Sequence, residues 1–370
     1  VAETADTGWA KTGGAGLASE LPVPGHYDPR RAGEWGYRPD AAALLGAAEA
    51  WRGRHGLRPA GTDERRVRLL LVDLQRDFCL PEGALFVGGR GGRGAVEDSD
   101  RVARFIYRNL HRLTDVLCTL DTHFPHQIFF PDFWVDEMGR HPAPHREVTA
   151  DEVARGALLP DPALAAWLAA GDYDWLVRQA VFYCRELERA GRYRLYLWPP
   201  HCLLGGDGHA MVGVVQEARL FHAYARQAPA AVEVKGSHPL TENYSVLSPE
   251  VLAGHDGKRL AERNERLIGE LLATDALIVA GQAASHCVKA TMEDLLREIA
   301  ARDPRLAGRI YLLADCMSAV AVPDPAAPGS YLFDFTQQAE EALRQFAAAG
   351  VHVVRSTEPM AGWPGPLGQG

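Results

Sequence analysis

The 370-residue sequence predicts an α/β fold, a doubly wound and mostly parallel sheet with helices on both faces. Two patterns carry that expectation. From Arg66 onward, short runs of β-branched residues and leucine alternate with longer amphipathic segments, the signature of strands linked by crossover helices. No internal repeat and no second composition regime interrupt that alternation, so a single domain is the economical reading.

Residues 1–65 are rich in Gly, Pro, Ala and Arg, and carry aromatics at Trp9, Tyr27, Trp35, Tyr37 and Trp51. So many aromatics argue against a disordered tail. The segment is expected to wrap the domain as an N-terminal extension, with one helix near Asp40 to His55 and a contribution to a homo-oligomer interface. The domain proper spans 66–358. Its expected strands are Val67–Asp73, Asp115–Asp121, Tyr193–Trp198, Ala231–Lys235, Ala276–Gly281, Arg309–Ala314 and Val351–Val354. Helical periodicity falls near Ser99–Leu113, Tyr173–Ala190, His209–Gln227, Leu260–Thr274, Ser285–Ala301 and Thr336–Ala349. Residues 124–171 form a long insertion with a Pro-rich aromatic loop, Phe129-Phe-Pro-Asp-Phe-Trp134. Residues 359–370 are a C-terminal tail.

Composition narrows the function. With 47% hydrophobic and 24% charged residues the chain has the balance of a soluble globular protein, and no apolar stretch reaches the length of a membrane span. The first residues, Val1-Ala-Glu-Thr-Ala-Asp, are acidic and polar rather than a secretory leader, so a cytoplasmic protein is expected unless a leader has already been removed. A formal net charge of −9 without a long basic run disfavours nucleic acid and anionic membrane as partners and leaves a small molecule. Six cysteines, at 79, 118, 184, 202, 287 and 316, are scattered without paired spacing, so each reads first as a small buried hydrophobe.

In a doubly wound sheet, ligands sit outside the carboxyl ends of the strands. Here the apolar runs end in polar or special residues: Asp73, Asp121-Thr-His123, His201 after Trp198-Pro-Pro, and Lys235-Gly. The run Ala276–Gly281 ends in glycine, turns through Gln-Ala-Ala-Ser-His and delivers Cys287 to a helix start. There the backbone N–H groups and the helix dipole favour a thiolate and can hold an oxyanion. One rim would thus gather two carboxylates, two imidazoles, an ammonium and a thiol.

Each residue also has a plainer reading. Asp73 suits a general base, its pKa raised by burial and lowered by a nearby ammonium, but an Asp so placed also caps turns. Asp77 is the better capping candidate. Lys235 would favour both carboxylate and thiolate, although strand-end lysines ordinarily reach water. Asp121-x-His123 puts two ligands on one face, and with His201 makes a three-ligand N2O site with open positions. That set suits zinc, iron(II) or manganese, yet an Asp-x-His pair alone is a weak signal. His126 is a possible fourth ligand. His141, His145, His209 and His238 fit surface or capping roles.

Taken together these segments resemble the nicotinamidase and isochorismatase-like cysteine hydrolases. Asp73-Leu-Gln-Arg-Asp-Phe78-Cys is similar to the family's Asp-x-Gln-x-Asp-Phe motif, and Trp198-Pro-Pro-His201-Cys to its Trp-Pro-x-His-Cys segment. Lys235-Gly, Asn243-Tyr-Ser and Gly281-Gln-Ala-Ala-Ser-His-Cys287-Val-Lys-Ala-Thr follow in the family's order. The resemblance implies a six-stranded parallel sheet in order 3-2-1-4-5-6 and a catalytic triad of Asp73, Lys235 and Cys287. It further implies a cis peptide at Gln282–Ala283, an oxyanion hole from the N–H groups of Ala283 and Cys287, and a ring pocket lined by Phe78 and Trp198. A divalent metal, zinc above iron or manganese, would be held by Asp121, His123 and His201. Three departures stand out: His126 comes one residue early for the family's metal loop, Ser285 stands where Asp is common, and both the extension and the insertion are large.

The activity implied is metal-assisted hydrolysis of a carboxamide, nicotinamide or a related larger amide, to carboxylate and ammonia through a thioester. The alternatives are a metal-independent N-carbamoyl hydrolase or isochorismatase-type hydrolase on the same fold, and a non-enzymatic binding protein. The three-ligand set argues against the metal-independent form, and the complete triad against the binding protein.

Overall fold

The computed structural model describes residues 20–191 and 193–368; Trp9 and the rest of the first 19 residues lie outside the described residues. Six strands form the central sheet: β1 (Val67–Val72), β2 (Asp115–Asp121), β3 (Val232–Lys235), β4 (Ala276–Gly281), β5 (Ile310–Leu313) and β6 (His352–Val354). All neighbours pair parallel in the order 3-2-1-4-5-6. Leu69 to Val72 of β1 are fully buried, as expected of a central strand covered on both faces.

The described helices of eight residues or more are α1 (Ala41–His55), α2 (Gly94–Arg108), α3 (Tyr173–Ala190), α4 (Gly213–Arg226), α5 (Glu265–Leu272), α6 (Cys287–Arg302) and α7 (Thr336–Ala348). Helices α2 and α4 link strands that step from β1 toward one edge, whereas α6 and α7 link strands that step toward the other. Because such crossovers are right-handed, the two groups cover opposite faces. The chain changes direction between β1 and β4, and a crevice opens there beyond the carboxyl ends of both strands.

Local chemistry explains most boundaries. Asp40 accepts hydrogen bonds from the N–H groups of Ala42 and Ala43, at 2.9 and 3.1 Å, and Gly56 ends α1 at φ 60°. Helix α1 buries Leu44, Ala48 and Trp51, with Trp51 set edge-on to Phe221 of α4. Helix α2 begins at Gly94 and ends at Arg108, five residues before the expected bounds at each end. Ser99 reads as an N-cap, yet its hydroxyl donates to the carbonyl of Ala95 one turn back, at 2.7 Å, so it sits inside the helix. The described part of the N-terminal segment is tied to α2 by Leu21 N–H donating to Arg108 O at 2.8 Å and by Tyr27 donating to Asp100 at 2.6 Å.

One expected strand is corrected. Within Tyr193–Trp198 only Leu195–Leu197 is extended, and it pairs antiparallel with Arg146–Val148 of the insertion, outside the central sheet. Both sides of β2 are already occupied, by β1 and β3, and Pro199 and Pro200 cut the run short. Within the insertion, the Pro-rich aromatic loop is core: Phe129, Phe130, Phe133 and Trp134 are fully buried, and Trp134 Nε1 donates to Ile128 O at 2.7 Å.

Candidate active site

The end of β1 delivers Asp73 in a left-handed conformation, φ 47°, that a non-glycine residue adopts only when its surroundings impose it. Thr119 on β2 imposes it. The Asp73 N–H donates to Thr119 Oγ1 at 3.0 Å, and that hydroxyl donates to Asp73 Oδ1. The carboxyl group is wholly buried, and burial raises its pKa.

Lys235, at the end of β3, is the hub. Its Nζ lies 2.9 Å from Asp73 Oδ2, 2.9 Å from Asp121 Oδ1, 2.8 Å from Asn243 O and 3.7 Å from Cys287 Sγ. Burial works against the ammonium, but the Asp121 and Asp73 carboxylates outweigh it and hold its pKa well above the usual lysine value. The lysine therefore does not reach water.

Cys287 occupies the first position of α6, whose N-terminal N–H groups have no partners within the helix. Its sulfur lies 3.7 Å from Lys235 Nζ, which also holds the buried Asp73 carboxylate. Burial pushes the thiol pKa well above normal; the Lys235 ammonium opposes this, and the Asp73 and Asp121 carboxylates reinforce it. The resting group is therefore the neutral thiol, already facing a base. The Gln282–Ala283 peptide is cis, as the motif resemblance implies. Among the described residues, no protein acceptor meets the N–H of Ala283 or of Cys287.

Asp121, His123 and His201 are buried, and one ligand atom from each lies within 4.8 Å of the others. His123 Nδ1 meets Gly236 O at 3.0 Å and His201 Nδ1 meets Pro199 O at 2.8 Å. A carbonyl only accepts, so each Nδ1 carries a proton and each ring turns Nε2 inward. Those nitrogens face Asp121 Oδ2 at 2.9 and 3.7 Å. Two ring nitrogens and a carboxylate oxygen converging in this way are the donor set of a cation site, and the two carbonyls orient the rings as in built metal centres. The donor set fits a divalent metal.

His126 does not join the cluster. It takes a left-handed conformation, φ 69°, and its Nδ1 contacts Asp132 Oδ2 at 2.5 Å, which turns it to the surface. The shorter spacing from Asp121 accounts for this, since His126 falls in the turn beyond His123.

Further residues support the site. Gln75 Nε2 donates to Asp121 O at 2.7 Å, and Gln75 Oε1 accepts from Asp121 N at 2.7 Å, clamping the metal loop to β1. Asp77 caps the expected kind of loop: its carboxylate accepts from Cys202 N at 2.7 Å and from Ala84 N at 3.0 Å, which sets the His201 segment in place. Phe78 meets the His201 ring edge-on at 5.4 Å, and Trp198 Nε1 donates to Tyr244 OH at 2.8 Å. Both line a pocket of about 30 Å³ that also contains Cys287 and Ala283. His209, expected at the surface, is half-buried and meets Thr122 Oγ1 at 2.8 Å through Nε2.

Sequence reasoning missed Glu242. It lines the same pocket, and burial raises its carboxyl well above the usual range, so it stands there as a neutral acid. Its Oε2 has no hydrogen-bond partner among the described residues. Nothing in Leu240-Thr-Glu-Asn marks it as buried; its place between Lys235 and Tyr244-Ser was the available signal.

No protein-family model matches the chain, and none of the curated proteins searched does. Solved structures similar to it include the Acinetobacter baumanii nicotinamidase/pyrazinamidase, at 18% identity and a TM-score of 0.45, covering 80% of this chain and 99% of that one. The yeast nicotinamidase bound to nicotinaldehyde is similar at 17% identity and a TM-score of 0.47, covering 78% and 99%. The Pyrococcus horikoshii pyrazinamidase in complex with zinc is similar at 19% identity and a TM-score of 0.40, covering 78% and 99%. The chemistry of this chain is argued below from its own residues.

Proposed function

We propose that the chain is a metal-assisted cysteine amidohydrolase that converts a primary carboxamide to carboxylate and ammonia. One observation carries the reading: Lys235 Nζ touches Asp73, Asp121 and Cys287 together. An acid–base carboxylate, a thiol and a cation-binding cluster are thereby held as one unit. A solitary buried cysteine or a structural metal site needs no such link.

Asp73 takes the Sγ proton of Cys287, and the Lys235 ammonium balances the thiolate as it forms. The thiolate attacks the carboxamide carbon, and the oxyanion settles against the N–H groups of Ala283 and Cys287. The C–N bond then breaks as Asp73 returns its proton to the departing nitrogen, releasing ammonia and leaving a thioester. Asp73 next deprotonates water, which attacks the thioester; the carboxylate product leaves and the proton passes back to sulfur. Asp121, His123 and His201 would hold the metal, zinc by preference for the N2O set, with iron or manganese as the other fits. Bound there, it would supply a Lewis acid that orients the substrate and a water. Phe78 and Trp198 provide flat apolar walls for the substrate ring.

Replacing Cys287 with Ala should lower ammonia release from nicotinamide by at least about 10³-fold, because the nucleophile is lost. Turnover at the wild-type rate would sink the assignment. Stripping with a chelator should lower the rate and leave a protein that rebinds one equivalent of divalent metal. Full activity of a metal-free preparation would favour the metal-independent hydrolases instead.

A further inference from the structure

The pocket around Cys287 is not the large space at this end of the sheet. Its 30 Å³ holds little more than a water or two. Behind Trp198, Tyr244 and His286 lies a second cavity of about 290 Å³, close to the lower end of ordinary small-molecule sites. Those three side chains line both spaces, so the two are divided by a single layer of rings. Glu147, Arg194 and Gln338 at the margin of the larger cavity are exposed, which makes it the approach from solvent to the smaller one.

The chemistry of the larger cavity is specific. Its walls are aromatic: Tyr196 and Trp198 lie 4.2 Å apart between ring centres, His286 and Phe335 4.8 Å, and Tyr193 and Tyr244 5.1 Å. Its two cations are paired with acids, Arg194 with Glu147 at 3.2 Å and Lys289 with Glu293 at 2.7 Å, and a third acid, Glu250, also lines it, which disfavours an anionic ligand. Burial pushes His286 down to about 3, so its ring is neutral. Such a surface suits a flat, uncharged body.

On the amidase reading, we infer that this cavity holds the body of the substrate. The substrate class is an uncharged aromatic amide longer than one ring. Its carboxamide reaches Cys287 past His286, while an outer ring lies against Tyr196, Trp198 and Phe335. The long insertion is used here: its segment Arg146–Val148 pairs with Leu195–Leu197 and fixes Tyr196 in the wall.

The test compares ammonia release by the metal-loaded protein from nicotinamide and from a pyridyl-substituted nicotinamide. The extended amide should have a kcat/KM at least about tenfold higher, the scale on which filling an apolar pocket discriminates substrates. Gln338→Trp, which narrows the exposed mouth, should reduce the ratio of the two kcat/KM values by about tenfold. Phe335→Ala, which removes one aromatic wall of the larger cavity, should reduce the same ratio mainly through KM, a second reading should Gln338→Trp fail to fold. Turnover of nicotinamide with no preference for the extended amide, or an unchanged ratio in a folded Gln338→Trp protein, overturns the inference and leaves the amidase standing. Absence of ammonia from both amides overturns the amidase reading, and this inference falls with it.

Discussion

Glu242 lines the pocket that contains Cys287, and burial holds its carboxyl well above the usual range. An unfolded glutamate ionises near its ordinary pKa of about 4.3, whereas the folded one keeps its proton to a higher pH. Between those two points the native state binds more protons than the unfolded state, so stability falls as pH rises. Glu242→Gln, which mimics the neutral acid, should remove that fall and gain on the order of 1 kcal/mol at pH 8 relative to pH 5. Urea unfolding of both proteins at the two pH values checks it; parallel changes in the two would refute the assignment of a neutral acid. At this scale the sequence is uneven. Asp73, Asp121, His123, Lys235 and Cys287 stand out because each ends or follows an apolar run, and the fold gathers such ends at one rim. Glu242 and Gln75 do not, because their burial depends on how loops close over that rim. His126 misled because spacing along a chain does not tell which way a turn beyond the strand will throw a side chain.

Among the elements, the contact between β1 and β4 sets the site most tightly. Gly281 has φ 128°, and a Cβ there would come within 2.0 Å of Val72 O. Only glycine permits this approach, and both strands end here in site segments: Asp73 on one side, and on the other the loop to Cys287. Gly281→Ala should cost at least about 3 kcal/mol, through strain in the backbone and displacement of the paired strand. Thermal unfolding measures this, and any folded fraction should be inactive; a variant with native stability would contradict the geometry. The helices and all six sheet strands were legible within about five residues of their ends, since period and length mark them. A seventh expected strand was not part of the sheet: the apolar signal at Leu195–Leu197 reads as a sheet strand, because composition does not say which partner a strand will find.

For the whole molecule, the described N-terminal residues are part of the folded body. Tyr107 donates to Glu217 Oε1 at 2.8 Å, Tyr37 donates to Glu217 Oε2, and Trp51 is buried beside Phe221. Removing residues 1–56 would uncover Phe221 and take the Tyr37 hydroxyl from the buried Glu217 carboxylate of α4, leaving it Tyr107. The truncated protein should lose several degrees of Tm at least, since about 1 kcal/mol moves a domain of this size by about 2–4 °C or less. It should also lose activity only as it unfolds, not at low temperature. Calorimetry with assays at 10 °C separates the two effects, and an unchanged Tm would show the segment to be dispensable. The sequence suggests the attachment through its aromatics, but not its place, because the receiving surface is made by two helices far along the chain.

The single ammonium shared between the thiol and the cation cluster has a bearing on descent. A lineage that gave up the metal by replacing Asp121 would leave Lys235 with one carboxylate where it now has two, and the thiol beside it would become more acidic. Loss of the metal would thus alter the nucleophile in the same event. The two halves of the site are coupled through one charge.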